Sequence, residues 1–240
     1  MNILDGIMLS ELCVLSNFTF LTGASHPEEY MCRAAELGMG ALAIADVNSV
    51  AGIVRAHARA REMARLAAEH ARAVERDGPI GPPKPAHLPD PPGLSAPRLI
   101  PGARLVLQCG LSMTALPRDR AAWGRLCRLL TLGRQRAPKG DCELHLEDLL
   151  APGAVEGLHL LLHPPQVRSG QRGAGEWLPR ARALTRRLGG QMHLVLTPGY
   201  DGQDRVRLAA QAGLARGLHL PVMASSAPLM HESRRRRMAA

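Results

Sequence analysis

The residues best suited to chemistry in this chain stand apart from one another. Cys13, Asp46, Arg104, His163 and His231 each lie in or just beyond a short apolar run, where the strands of an α/β protein deliver ligands and catalysts. Ser16, Asn48 and Ser226 add hydroxyl and amide groups at similar positions. A thiol, a carboxylate and an imidazole from separate strands could hold a divalent cation, which makes Cys13, Asp46 and His231 the residual metal candidates. The spacings that would strengthen this reading are missing: there is no H-x-H, D-x-D or C-x-x-C pair. A lone Asp at such a position is more often a helix cap. Nor is there a G-x-x-x-x-G-K-S/T phosphate loop, a G-x-S-x-G elbow or a G-x-G-x-x-G turn, so no catalytic residue is assigned.

The remaining candidates have plainer readings. His57 and His70 fall on an expected helix, and His159 and His193 within expected strands, where a solvated or core-satisfied ring is the ordinary case. Five scattered cysteines, Cys13, Cys32, Cys109, Cys127 and Cys142, suit buried free thiols better than disulfides. The 30 Lys plus Arg against 21 Asp plus Glu give a formal charge of +9, which suits an acidic partner such as DNA. Arg234, Arg235, Arg236 and Arg237 are the candidate DNA contacts, with an exposed terminal tail at 233–240 as the alternative. Two Trp, two Tyr and two Phe argue against a single-strand binder that stacks bases on rows of aromatics. DNA binding is therefore expected to be weak and non-specific. No apolar run is long enough for a membrane span, and the first residues, with Asp5 and Glu11, do not read as a secretory leader; a cytoplasmic protein without a membrane partner is expected.

The elements that must position these groups alternate. Strands are expected at 8–15, 41–45, around 99–100 and 105–107, and at 157–162, 191–197 and 220–225. Pro27, followed by Glu28 and Glu29, opens a helix that runs to about Leu37 and stops at Gly38. Further helices are expected from Asn48 or Ser49 to about Arg72, from Pro117 through the stripe Trp123, Leu126, Leu129 and Leu130, and over 177–188 and 203–216. Nine prolines between Pro79 and Pro101 place a surface insertion at about 77–98, with a flexible turn at 170–175. The alternation predicts an α/β fold with a parallel barrel or an open parallel sheet.

The stretch Leu15, Ser16, Asn17, Phe18, Phe20, Leu21, Gly23, Ala24, Ser25, His26, Pro27, Glu28, Glu29 resembles the opening of the PHP domain of bacterial error-prone DNA polymerases of the C family, relatives of the polymerase III α subunit. ALAIAD with Ser49, Ala51 and Gly52, then DRAAWGRLCRLLTLGRQRAPKG, then LPVMASSAPLMH follow in the same order. The resemblance implies a PHP-like distorted (β/α)7 barrel over 1–232, whose strand ends carry a trinuclear metal cluster in active members. Carried over residue by residue, the H-x-H ligands fall on Cys13 and Leu15, the second motif keeps Asp46 but has Val47 for its His, the third motif's Glu falls on Arg104, and the final Asp-x-His falls on Ala227 and Leu229, with His231 two residues later. The ligand set is therefore expected to be degenerate, because a guanidinium at a carboxylate position opposes divalent ions.

The same resemblance implies a domain that supports damage-induced, translesion DNA synthesis, a nucleotidyltransferase reaction. Its partners would be the polymerase core domains of the same protein, which lie beyond this chain. No cofactor is expected here, magnesium belonging to the polymerase. The alternative is a metal-dependent PHP phosphoesterase with a site rebuilt from Cys13, Asp46 and His231.

Overall fold

The computed structural model describes residues 9–77, 96–165 and 174–238, and the chain divides into two compact units. The first comprises the described parts of Met1–Ile44, Ala51–Ile100 and Pro228–Ala240. Its sheet has the order β1 (Ser10–Val14), β2 (Ala41–Ile44), β3 (Arg98–Pro101), with β1 and β2 parallel. Helix α1 (Pro27–Glu36) starts as its sequence requires: Pro27 occupies the first turn, and Glu29 Oε2 accepts a hydrogen bond from the His26 amide at 2.8 Å. It ends where Gly38 takes a left-handed φ of 65°. Helix α2 (Ala51–Asp77) is longer than expected, and Arg55 pairs with Glu28 to tie it to α1. Val14, Tyr30, Met31, Ala34, Leu42, Ile44, Ala56 and Met63 form the core of this unit.

The second unit comprises Ala45–Val50 and the described parts of Pro101–Ala227. Its sheet runs β4 (Ala103–Val106), β5 (Ser112–Pro117), β6 (Leu158–His163), β7 (Met192–Leu196), β8 (Val222–Ala224). β6, β7 and β8 are parallel, whereas β5 is antiparallel to both β4 and β6. This corrects the expectation of a purely parallel sheet. Pro117 closes β5 rather than opening a helix, and its missing N–H falls at the last pair of the ladder, opposite Leu158. Among the described residues, neither sheet closes on itself.

Helix α3 (Arg120–Arg136) begins three residues after Pro117 and is capped by Asp119, whose Oδ1 accepts from the Ala122 amide at 2.8 Å. Its stripe is core packing: Leu126, Leu129 and Leu130 are buried and Trp123 is partly buried. Replacing Asp119 by Ala should cost about 1 kcal/mol, read as a fall in Tm of roughly 2–4 °C. Helices α4 (Leu146–Leu150), α5 (Ala174–Leu188) and α6 (Asp204–Gly217) complete the unit. The short α4 has no counterpart in the sequence reading. The expected insertion at about 77–98 lies mostly outside the described residues, with α2 reaching Asp77 and β3 opening at Arg98, and the expected turn at 170–175 also falls largely outside them.

Candidate functional site

Asp46 belongs to the second unit and is 1% exposed. Its carbonyl accepts from the Arg104 amide at 3.0 Å, and the Asn48 amide donates to the Arg104 carbonyl at 2.9 Å. Asn48, in a left-handed conformation with φ 45°, also accepts from the Val106 amide through Oδ1 at 3.0 Å. Residues 46–48 therefore run along β4 as a parallel bridge, which fixes the backbone at Asp46.

Arg104 lies within β4 rather than at its end. It pairs with Thr114, Ser112 pairs with His163, and Ser112 and Thr114 are two residues apart, so all four share one face of the sheet. Arg104 Nε donates to Ser112 Oγ at 2.9 Å, and Thr114 Oγ1 is 2.9 Å from His163 Nε2. Thr114 and His163 are buried. Burial first, and then the charge of Arg104, hold the pKa of His163 down to about 3, so its imidazole is neutral near pH 7. The cluster is internally hydrogen-bonded, and Arg104 brings a positive charge to His163.

In the first unit Cys13 and Leu15 are buried at and just beyond the end of β1. The Leu15 amide donates to the Pro228 carbonyl at 3.4 Å and the Ala24 amide to the Leu229 carbonyl at 2.7 Å, while Tyr30 reaches the Leu15 and Pro228 carbonyls through its hydroxyl. His231 follows in the same segment. Its amide donates to Ser25 Oγ at 3.0 Å, its Nδ1 is 2.8 Å from that hydroxyl, and its Nε2 is 3.1 Å from Glu232 Oε1. Both ring nitrogens are therefore engaged within the protein. Arg234–Arg237 lie in a 3-10 helix, Ser233–Met238; Arg234 pairs with Glu232 and Arg235 with Glu29, and Arg234, Arg236 and Arg237 are exposed.

Cys13 and His231 thus lie in one unit and Asp46 in the other. Among the described residues, no three His, Cys, Asp or Glu side chains gather closely enough to hold a metal ion. The residues at the carried-over positions do not fit a metal cluster: Leu15, Val47, Ala227 and Leu229 have no donor side chain, and Arg104 brings a cation. His57 and His70 are exposed on α2, as a solvated face requires. The spacing of His159 and His163 would pair ligands on a helix, but on β6 it separates them by roughly 13 Å. Sequence reading missed Ser112 and Thr114 and the partners of Ser25 and Glu29, which are set by pairing across strands or with the far end of the chain. A cavity of about 420 Å³ in the second unit is lined by Asn48, Gln108, Arg134, Asp141, Cys142 and Glu143, among others. Burial raises the pKa of the Cys142 thiol, which leaves it a poor nucleophile.

Two solved structures share this α/β fold. A protein named as a metal-dependent phosphoesterase from Bifidobacterium adolescentis matches 94% of this chain and 88% of its own, with a TM-score of 0.52 and 14% identity. An amidohydrolase from Chromobacterium violaceum, solved with sulfate and no metal, matches 92% and 87%, with a TM-score of 0.54 and 14% identity. At 14% identity both likenesses are of the α/β fold alone, which by itself says nothing about activity.

No family profile matches the chain. Its sequence relatives are error-prone DNA polymerases: that of Ruegeria pomeroyi is 48% identical over 238 residues, that of Rhodopseudomonas palustris strain BisB5 37% over 228, and that of Sinorhizobium medicae 36% over 223. These matches cover 96%, 95% and 92% of this chain but only 21%, 18% and 17% of the relatives. The chain corresponds to one domain of the bacterial error-prone DNA polymerases, in agreement with the PHP-domain resemblance of its sequence.

Proposed function

We propose that this chain is a metal-free PHP-like domain, a distorted (β/α)7 barrel, that supports the polymerase core of an error-prone DNA polymerase acting at damaged DNA in the cytoplasm. The observation that carries this reading is Arg104. It stands where the resemblance puts a metal-ligating Glu, is hydrogen-bonded to Ser112, and helps to keep the buried His163 uncharged. A guanidinium at a position that would otherwise hold a ligating carboxylate supplies no donor and adds a positive charge, which opposes a cluster of divalent ions. Magnesium and nucleotidyl transfer belong, in this reading, to the polymerase core, and Arg234–Arg237 contribute phosphate contacts.

The phosphoesterase alternative needs Cys13, Asp46 and His231 as ligands. The engagement of both His231 ring nitrogens by Ser25 and Glu232 weighs against it. Purified chain, dialysed and subjected to elemental analysis, should carry no stoichiometric zinc, manganese or iron, and should not hydrolyse phosphomonoesters or phosphodiesters when these metals are added. Stoichiometric metal together with metal-dependent hydrolysis would overturn the reading.

A further inference from the structure

The only two phenylalanines of the chain are not in its core. Phe18 is 37% exposed and Phe20 83% exposed, on the loop between β1 and α1, and Leu21 beside them is 70% exposed. Scattered apolar residues at a surface are ordinary, but this loop is tightly built. The Asn17 amide donates to the Ser25 carbonyl at 2.8 Å, the Thr19 amide to the Ser16 carbonyl at 2.9 Å, and the Thr22 and Gly23 amides to the Thr19 carbonyl at 3.1 and 3.0 Å. The Phe18 amide donates to Ser16 Oγ at 3.2 Å. Leu21 is held at φ 58°, a conformation that a branched side chain rarely adopts. The hydrogen bonds close the loop on itself, and the apolar side chains at its tip face solvent.

The same unit also carries positive charge, on a segment hydrogen-bonded to the end of the loop. Ala24, which closes the loop, is bonded to Leu229, and the arginine-bearing 3-10 helix starts four residues beyond Leu229. Phe20 is four residues from Ala24 and Arg234 five from Leu229, so their Cα atoms lie within ~14 and ~18 Å of the Cα atoms of that hydrogen-bonded pair. The neighbouring carboxylates are matched, Glu28 by Arg55, Glu29 by Arg235 and Glu232 by Arg234, while Arg236 and Arg237 remain exposed.

We infer that the Phe18–Leu21 loop and the Arg234–Arg237 helix form one binding surface for single-stranded DNA, with Phe20 stacking on a base and the arginines contacting phosphates. The inference rests on the proposed function only for the kind of partner, a nucleic acid. Aromatic faces bind unpaired bases whatever their sequence, whereas a duplex keeps its bases stacked and offers only phosphates. A preformed loop also loses little conformational entropy on binding. The scarcity of aromatics, which argues against base stacking when they are only counted, matters less when both phenylalanines sit on one exposed loop.

The test uses the full chain, a fluorescein-labelled oligothymidylate of about 16 nucleotides, and a duplex of equal length, with anisotropy read across a salt series. The native chain should bind the single strand more tightly than the duplex. Phe20→Ala should weaken single-strand binding by about five- to a hundredfold and leave duplex binding and the salt slope unchanged. Phe20→Trp should keep the affinity, and its emission should be quenched by the oligonucleotide. Replacing Arg236 and Arg237 by Ser should lower the salt slope by about 0.7 for each phosphate that is no longer neutralised. Equal affinity of native and Phe20→Ala proteins for the single strand would overturn the inference, and would leave a loop that serves a protein partner. A native preference for duplex, or no single-strand affinity at low salt, would also overturn it. Metal-dependent hydrolysis, which would refute the proposed function, leaves these readouts unaffected.

Discussion

Acidification from pH 7 to pH 4 is expected to destabilise the chain by several kcal/mol, mainly through His163. The folded-state pKa of this imidazole is held at about 3 by burial and by Arg104, against an ordinary 6.5. Below about pH 6.5 the unfolded chain takes up a proton that the folded chain refuses until about pH 3. The stabilisation is therefore complete above 6.5 and is lost as pH falls, at about 1.4 kcal/mol per pH unit, with no further loss from this group below about 3. His159, whose pKa burial, Arg118 and His193 also lower, adds a smaller loss of the same sign. Urea unfolding at several pH values gives the slope directly. His163→Gln, which keeps a polar partner for Thr114, should flatten the acid limb. Identical slopes for native and variant proteins would refute the assignment.

Gly23→Ala should be among the most damaging single substitutions in the first unit. A Cβ at Gly23 would stand 2.0 Å from the Ser16 carbonyl oxygen and 2.3 Å from its carbon, both backbone atoms that cannot swing aside. The loop from Ser16 to Ser25 would have to open, breaking the bonds from the Gly23 and Thr22 amides to Thr19. The expected cost is about 3 kcal/mol or more, a fall in Tm of roughly 6–12 °C. Single-strand binding should fall as well, although Phe20 is untouched. Gly124→Ala is the matched control: its added methyl, inside α3, would meet nothing within 4 Å, so helix propensity should stabilise the chain by about 0.5–1 kcal/mol. A Tm for Gly23→Ala within a degree or two of native would mean that the loop is not closed as described.

Local signals were legible where one stretch of chain decides the outcome. Pro27 with its two glutamates placed the start of α1, Gly38 its end, and the leucine stripe the buried face of α3. Pro117 misled because a proline suits the last position of a strand as well as the first turn of a helix, and only the β6 partner distinguishes the two. β5 itself, SMTALP, is too short and too mixed to declare its direction. The pairing of Arg235 with Glu29 could not be read from the sequence, because the two are some two hundred residues apart.

By itself the sequence determined the α/β class and the order of most elements. The tertiary structure alone decided the antiparallel run from β4 to β6, the burial of His163, the engagement of both His231 nitrogens and the exposure of Phe20. Each of these depends on hydrogen bonds or burial between residues far apart in the chain. Residue type sets which bonds and charges are available, and only the packed fold sets which of them are used, buried or left facing water.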